Sequence, residues 1–490
     1  MVADAETLIH ERNGELVTAK VPAGGVSIAL DPIAKASDCV YIARGKTQVD
    51  KEVLDKNSKI RVEGENGSYT LKRVFITDEE FDAYYNGFSN QTLWPLCHVA
   101  FEPPEFSNEW FEGYKAVNKK FADAIRTEIK GKTFIWIHDY QLALVPKLLG
   151  QHKDVVIGMF WHIPWPTWEV FRILPQKKEI LESILSCNYL AFHRGYQARN
   201  FIKTVEREFQ VRTDRETNKI YTKDTVIKVD NLPLGIDGDV IKGLLERQEK
   251  PKQSIITQIA SKVFGEPDKE DEIEAFFEKN KVILGVDRLD YTKGLVLRLK
   301  ALRRFYKKFP QYREKVTYLG LLAPSREKIP SYLLLKKQID ETVVDINNEF
   351  STKKWKPIHI IQSTFPRGEL LNFYKKAAVC LVTPRDDGMN LVSKEFVISS
   401  STSSNPGMLV LSQFAGSAID LTSAIIINPY DIENVANAIK DALEMSKAEK
   451  QRRIKNMVEN LDEKNVYDWA MEFVKNATIA KRESLASKNK

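Results

Sequence analysis

A chain of 490 residues is too long for a single hydrophobic core, so two or three domains are expected. With 43% apolar and 29% charged residues it has the composition of a soluble globular protein, not of a disordered or fibrous one. The formal charge of +6 is spread over lysine-rich runs near 115–132, 303–315 and 440–455, each broken by acidic residues, which fits a solvated surface or an anionic small substrate better than a nucleic-acid groove.

The four cysteines, at 39, 97, 187 and 380, form no close pair, which points to a reducing, cytoplasmic setting without a disulfide framework. Neither they nor the seven scattered histidines show metal-site spacing, so no metal and no cofactor is expected. No signal peptide and no membrane-length apolar stretch is visible.

Residues 1–20 read as polar and unpatterned. Gly24 and Gly25 then precede a helix-like stretch and suit either a backbone nest for an oxyanion or a simple turn. Short alternating runs between 40 and 75 predict edge strands. The stretch 81–101 is dense in aromatics and amides that follow no single period. Within it Tyr85 and Trp94 are candidate sugar platforms, with Asn86, Gly87, Ser89 and Asn90 supplying loop chemistry around them.

A helix over 109–129 leads to the core strand "TFIWIHDY" (133–140), which ends in His138, Asp139 and Tyr140. The strand at 154–166 repeats the design and ends in His162, followed by two stiffening prolines. Polar side chains at the carboxyl ends of parallel strands are placed to touch a ligand, and Asp139 and His162 are expected to pair there. A third strand (189–193), a helix (197–208), a hairpin within 212–228 and a strand starting at 226 complete a first domain, 1–237.

Residues 238–279 read as charged helices, including the acidic "GEPDKEDEIEAFFEKN". The second domain, 238–460, has its first strand in "KVILGVDRLDYTKG" (281–294). Arg288 and Lys293 crowd the loop beyond it, a bidentate fork and a point charge at a spacing that suits a diphosphate. Further strands at 316–326, 356–364, 377–382, 407–418 and 424–431 alternate with helices, as in a doubly wound α/β domain. The organising stretch is "TPRDDGMNLVSKE" (383–395). Its strand, a tight turn at Gly388 and the following helix aim backbone N–H groups at one anion, while Glu395, one turn in, suits a pair of sugar hydroxyls. A last segment, 461–490, is expected to be a helix returning to the first domain.

The motifs "FSN..LWP", "WIHDYQL", "HIPWP", "VDRLDYTKGL", "DGMNLVSKEF", "VLSQFAGSA" and "NPYD", between about 81 and 475, resemble those of the trehalose-6-phosphate synthase family. The resemblance implies a retaining glycosyltransferase of GT-B fold, two Rossmann-like domains facing a central cleft, that moves glucose from a nucleotide sugar, usually UDP-glucose, to glucose 6-phosphate without a metal. It implies that Arg288 and Lys293 hold the diphosphate, helped by the backbone at Asn390, Leu391 and Val392 and flanked by Arg367. Glu395 would bind the ribose, and Asp387 and His162 the donor glucose. Asp139, Tyr85 and Trp94 would line the acceptor side, and Arg326 would meet the acceptor phosphate. The implied partners are these small substrates, with no nucleic acid or membrane, and a homo-oligomer is open.

The front of the chain departs from that pattern. "VADAE" (2–6) puts Ala5 where the family has an arginine for the acceptor phosphate, and the strand before it is missing. Tyr41-Ile42-Ala43-Arg44-Gly45 replaces a tryptophan loop, so Arg44 or a lysine would have to stand in for the lost charge. Arg385 and Asp386 also depart from the family's Leu-Arg. Another phosphorylated acceptor, such as glycerol 3-phosphate, and a catalytically weak regulatory subunit therefore stand beside the main reading.

Overall fold

Apolar runs bounded by Gly, Pro and Asn form the strands, and helices with one apolar face cover the sheets. The computed structural model describes residues 1–21, 25–64, 67–223, 225–247, 276–277 and 280–488. Gly24 and most of the acidic stretch at 265–280 lie outside the described residues. The chain divides into two units, Met1–Leu234 with Val466–Lys490, and Gly235–Asn465. The sequence suggested breaks after 237 and 460; they fall after Leu234 and Asn465. Gly235 lies against the second crossing, where a Cβ would come 2.4 Å from the Lys464 carbonyl oxygen.

The first unit begins with a hairpin of β1 (Ile9–Asn13) and β2 (Leu16–Lys20), where the sequence suggested no pattern. β2 is exposed along most of its length, so it never needed the apolar alternation that reveals a half-buried strand. β3 (Val40–Arg44), β4 (Lys59–Gly64) and β5 (Gly67–Val74) form a three-stranded sheet in the order β3-β5-β4. β6 (Thr133–His138), β7 (Val155–Trp161), β8 (Tyr189–Phe192), β9 (Arg212–Asp214), β10 (Lys219–Tyr221) and β11 (Val226–Asn231) form another, in the order β6-β7-β8-β11-β10-β9.

Residues 2–3 form a short insert where the sequence suggested no strand. Val2 bridges in parallel to Ile42 and to Ile137. Its N–H donates to the Trp136 carbonyl at 2.8 Å, its carbonyl accepts from His138 N–H at 2.8 Å, and Ala3 N–H donates to Ile42 at 3.1 Å. A few residues suffice because only the backbone groups on the facing edges of β3 and β6 need partners. Behind the insert, Arg73 is wholly buried between Glu6 and Asp50, at 3.0 Å from each.

The helix Val466–Lys488 packs on β11, β7 and β8, and its Phe473 ring reaches Phe134 and Trp136 of β6. Phe473 stacks on Trp136 with centroids 4.4 Å apart and meets Tyr189 edge-on at 4.9 Å. Trp469 donates its indole N–H to the Leu232 carbonyl at 3.2 Å. Gly158 makes room for this, since a Cβ there would come 2.7 Å from the Phe473 ring.

The second unit is an all-parallel sheet of β12 (Lys281–Arg288), β13 (Val316–Ala323), β14 (Ile358–Gln362), β15 (Val379–Val382), β16 (Met408–Ser412) and β17 (Ile425–Ile427), in the order β14-β13-β12-β15-β16-β17. The chain winds one way from β12 and the other way from β15. The carboxyl ends of these two neighbours form the switch point where doubly wound sheets take their ligands.

Phe473 is completely buried among aromatic rings. Phe473→Ala is therefore expected to lower stability by about 3–5 kcal/mol. Urea unfolding measures it, and a loss below about 1 kcal/mol would show that the helix does not depend on this ring.

Candidate active site

At the switch point of the second unit, Lys293 Nζ lies 2.5 Å from Asp387 Oδ2. The loop that carries Lys293 is set by Gly294, at φ +65, where a Cβ would come 2.3 Å from the Thr383 carbonyl. The left-handed residue of the turn after β15 is Asn390, φ +74, and not Gly388 as the sequence suggested. Asn tolerates this region because its short polar side chain bonds locally. Its Oδ1 accepts from Ser393 N–H at 3.0 Å and caps the helix Leu391–Ser401, while its Nδ2 donates to Asp387 Oδ2 at 3.1 Å. The first-turn N–H groups of Leu391 and Val392 have no partner within the helix and suit an anion.

The 387–389 loop is held from the far side. Asp387 N–H donates to the Phe414 carbonyl (3.2 Å), Gly416 N–H to Asp387 (3.0 Å) and Ser417 N–H to Met389 (2.7 Å). Gly416 is required, because a Cβ there would come 1.9 Å from the Gly388 carbonyl oxygen. The motif "VLSQFAGSA" thus supplies the brace for the 387–389 loop, which its sequence alone did not disclose.

Arg367 Nε donates to Glu395 Oε1 at 2.8 Å. Burial pushes the Glu395 carboxyl above its ordinary range, and Arg367 pulls it back. Arg288 Nη2 lies 3.6 Å, and Arg326 Nη1 3.2 Å, from the same oxygen of Asp290. Burial alone would raise Asp290; Arg326, Arg288 and Lys293 outweigh it and bring the carboxyl down to about 2. The structure therefore gathers Arg288, Lys293, Arg326, Arg367, Asp387, Asn390 and Glu395 at one end of one sheet. Gly25 is exposed and opens the helix Gly25–Ser37 in the other unit.

In the first unit Asp139 and His162 meet. Asp139 Oδ1 accepts from the N–H of His162 at 3.1 Å and of Tyr140 at 3.0 Å. Asp139 sits at φ +72, a strained setting for a residue with a side chain and common where function over-determines the backbone. His162 is buried, with Nε2 3.1 Å from Nδ1 of His138. Burial drives the His162 imidazole down to about 3, so the ring is neutral near pH 7 and can engage a partner by hydrogen bonds, not by charge.

The 81–101 stretch is helical where the sequence suggested loops. Between Asp82 and Leu93 it is a π-helix, and Trp94 N–H donates to the Ser89 carbonyl five residues back. This wider winding is why the aromatics fitted no single period. It also links the expected sugar platforms. Asn90 donates to the Tyr85 carbonyl (2.8 Å) and accepts from the Tyr140 hydroxyl (2.8 Å), and Trp94 lies 5.8 Å from the Tyr140 ring. Tyr85 stacks on Phe81 at 5.0 Å. Arg44 does not swing free to replace a lost charge. It is bidentate to Asp4 (3.0 and 3.3 Å), with its guanidinium 4.6 Å from the Phe81 ring and 5.5 Å from Tyr85.

The second unit's cluster can neutralise a diphosphate and pair a carboxylate with ribose hydroxyls; the first unit's neutral histidine, carboxylate and flat rings suit an uncharged sugar face. Among the described residues no three His, Cys, Asp or Glu side chains converge as metal ligands, and no helix is long and apolar enough to cross a membrane.

The family described as glycosyltransferase family 20 matches residues 3–479. The chain belongs to this family. It is 34% identical over 458 residues to an alpha,alpha-trehalose-phosphate synthase [UDP-forming] of Candida albicans, covering 92% of this chain and 91% of the relative. It is 32% identical over 466 residues to synthase A of Dictyostelium discoideum, covering 95% of this chain but only 60% of that longer relative. A solved alpha,alpha-trehalose-phosphate synthase (UDP-forming) from Burkholderia xenovorans, in complex with glucose-6-phosphate, is similar with a TM-score of 0.83 and 30% identity, over 97% of this chain and 99% of that one. The fold of this family 20 chain is accordingly GT-B, with two Rossmann-like units.

The neutral His162 generates a pH test. Its folded value lies below the unfolded one of about 6.5, so the unfolded state takes up a proton that the folded state refuses. Its contribution to stability is intact above that value and is lost as pH falls toward about 3. His162→Asn should therefore flatten the fall in unfolding free energy below pH 6.5 by up to about 1.4 kcal/mol per pH unit. Identical slopes in the two proteins would show that His162 titrates normally.

Proposed function

We propose that this family 20 protein is a retaining glucosyltransferase that moves glucose from UDP-glucose to glucose 6-phosphate and releases trehalose 6-phosphate and UDP. The observation that carries the reading is the Arg288, Lys293, Asp387, Asn390 and Glu395 cluster at the β12–β15 switch point, in a chain whose relatives are named for this UDP-forming reaction. In this reading Arg288 and Lys293 take the growing negative charge of the departing UDP, assisted by the N–H groups of Leu391 and Val392 and flanked by Arg367. Stabilising charge with groups already in place is the largest lever such a site has. Glu395 holds the ribose hydroxyls. Asp387 and His162 hold the donor glucose. Asp139, Tyr85 and Trp94 hold the acceptor sugar, and Arg326 its phosphate.

No carboxylate is assigned as a covalent nucleophile. The acceptor hydroxyl attacks the anomeric carbon on the face from which the diphosphate leaves, and the leaving phosphate oxygen takes the hydroxyl proton. Because guanidinium, ammonium and helix N–H groups can meet the diphosphate charge, the reaction is proposed to need no metal. A cytoplasmic setting is supported by four cysteines, none of them in a disulfide bond. The engagement of Arg44 with Asp4 keeps that guanidinium from standing in for the arginine that Ala5 replaces, so another phosphorylated acceptor such as glycerol 3-phosphate is the second reading.

The deciding experiment offers UDP-, GDP- and ADP-glucose with glucose 6-phosphate, glucose, glycerol 3-phosphate and fructose 6-phosphate, and reads products by mass. A phosphorylated disaccharide from UDP-glucose and glucose 6-phosphate is expected. Arg326→Ala should cut kcat/KM for that acceptor at least about tenfold, the scale of losing one charge-assisted contact, with UDP affinity unchanged within about threefold. Preference for free glucose defeats the role of Arg326, and preference for glycerol 3-phosphate moves the assignment to the alternative acceptor. In a second measurement, EDTA is expected to leave the transfer rate intact; loss of activity restored by Mg²⁺ or Mn²⁺ would overturn the metal-free mechanism.

A further inference from the structure

Asp290 cannot touch a substrate, since its side chain is wholly buried, yet three cations of the proposed site surround it. Its two oxygens are used differently. Oδ1 accepts from Thr292 N–H at 3.0 Å and from the Thr292 hydroxyl at 2.9 Å, closing the turn Tyr291–Lys293. The Lys293 N–H adds a bond to the Asp290 carbonyl at 3.0 Å. Oδ2 receives Arg326 Nη1 at 3.2 Å and the Tyr332 hydroxyl at 3.3 Å, with Arg288 Nη2 at 3.6 Å. Arg326 Nη1 also donates to the Tyr332 oxygen, so carboxylate, guanidinium and phenol form a closed triangle. Arg326 itself sits at φ +51, and Tyr332 packs on Tyr291 at 5.3 Å, so the triangle joins the loop after β13 to the loop after β12.

A buried carboxylate can serve one loop or two. This one spends one oxygen on the turn that presents Lys293 and the other on the guanidinium assigned to the acceptor phosphate. We propose that Asp290 is a positioning residue for the acceptor: through Oδ2 and the Tyr332 hydroxyl it aims Arg326 at the acceptor phosphate. The inference rests on the glucosyltransferase reading of the same site. It predicts that the two functions of the carboxylate separate by mutation. Asparagine keeps an oxygen for the Thr292 turn and removes the negative charge facing Arg326.

The test compares wild type with Asp290→Asn and Tyr332→Phe. Glucose 6-phosphate is titrated calorimetrically into enzyme saturated with UDP, UDP is titrated into free enzyme, and KM and kcat are measured for transfer. Asp290→Asn is expected to weaken glucose 6-phosphate binding and raise its KM at least about tenfold, with UDP affinity within about threefold of wild type. Tyr332→Phe, which leaves the buried ion pair in place, should shift the same quantities in the same direction by about threefold, and it decides the matter if Asp290→Asn does not fold. A structural role alone would lower the melting temperature and weaken UDP and glucose 6-phosphate alike. That outcome overturns the inference, as does unchanged or tighter acceptor binding in a folded variant. Wild-type enzyme that binds glucose 6-phosphate but transfers nothing to it defeats the functional reading, and the inference is then decided by the binding data alone. Wild-type enzyme that transfers normally, with variants binding as tightly as it does, defeats the inference alone. Absence of glucose 6-phosphate binding in wild type overturns both.

Discussion

Like charges cannot be crowded at a strand end unless something stands between them. Two unit charges about 4 Å apart repel by roughly 4 kcal/mol at an effective dielectric of about 20. The second unit places Arg288, Lys293, Arg326 and Arg367 around one sheet end and interleaves carboxylates with them. Asp290 lies between Arg288 and Arg326, Asp387 holds Lys293, and Glu395 holds Arg367. In the proposed reading the arrangement keeps the cations aimed before an anion arrives, so binding does not have to organise them. It also leaves one more cation than carboxylate, and Arg288, at 39% side-chain exposure, is the member most open to a ligand. The braces around it follow from the same need. Asn390, Gly294 and Gly416 fix loops whose carboxylates and ammonium must not drift.

The first unit solves the opposite problem. In the proposed reading it needs polar groups that recognise hydroxyls without attracting counter-charges. Burial keeps His162 neutral, and the backbone N–H groups of His162 and Tyr140 fix one oxygen of Asp139. The π-wound segment brings Tyr85, Asn90 and Trp94 round to Tyr140 by bonds that reach five residues back, a spacing an α-helix does not provide.

The fold class was legible because buried parallel strands such as β12 and β15 are continuous apolar runs with little else they could be. Arg288 and Lys293 were legible for the same reason: a strand end fixes where the next side chains go. Asp290 was visible in that loop but its role was not, because Arg326 and Tyr332 reach it from a strand away. The hairpin β1–β2 was hidden by its exposure, and the 82–93 winding by its period. Gly388 attracted the turn because glycine is the usual left-handed residue, while Asn390 takes that conformation with its own side chain bonded on both sides.

The helix Val466–Lys488 completes a sheet built from residues that precede it by more than two hundred positions. During synthesis the ribosome delivers β6, β7 and β8 first, yet the apolar face holding Trp136 and Phe160 gains its cover only when Trp469 and Phe473 emerge. The intervening unit is continuous in the chain and can close on itself sooner. Vectorial order is thus reversed for this protein: the unit translated first is finished last, and its uncovered aromatic surface is the one a chaperone would meet.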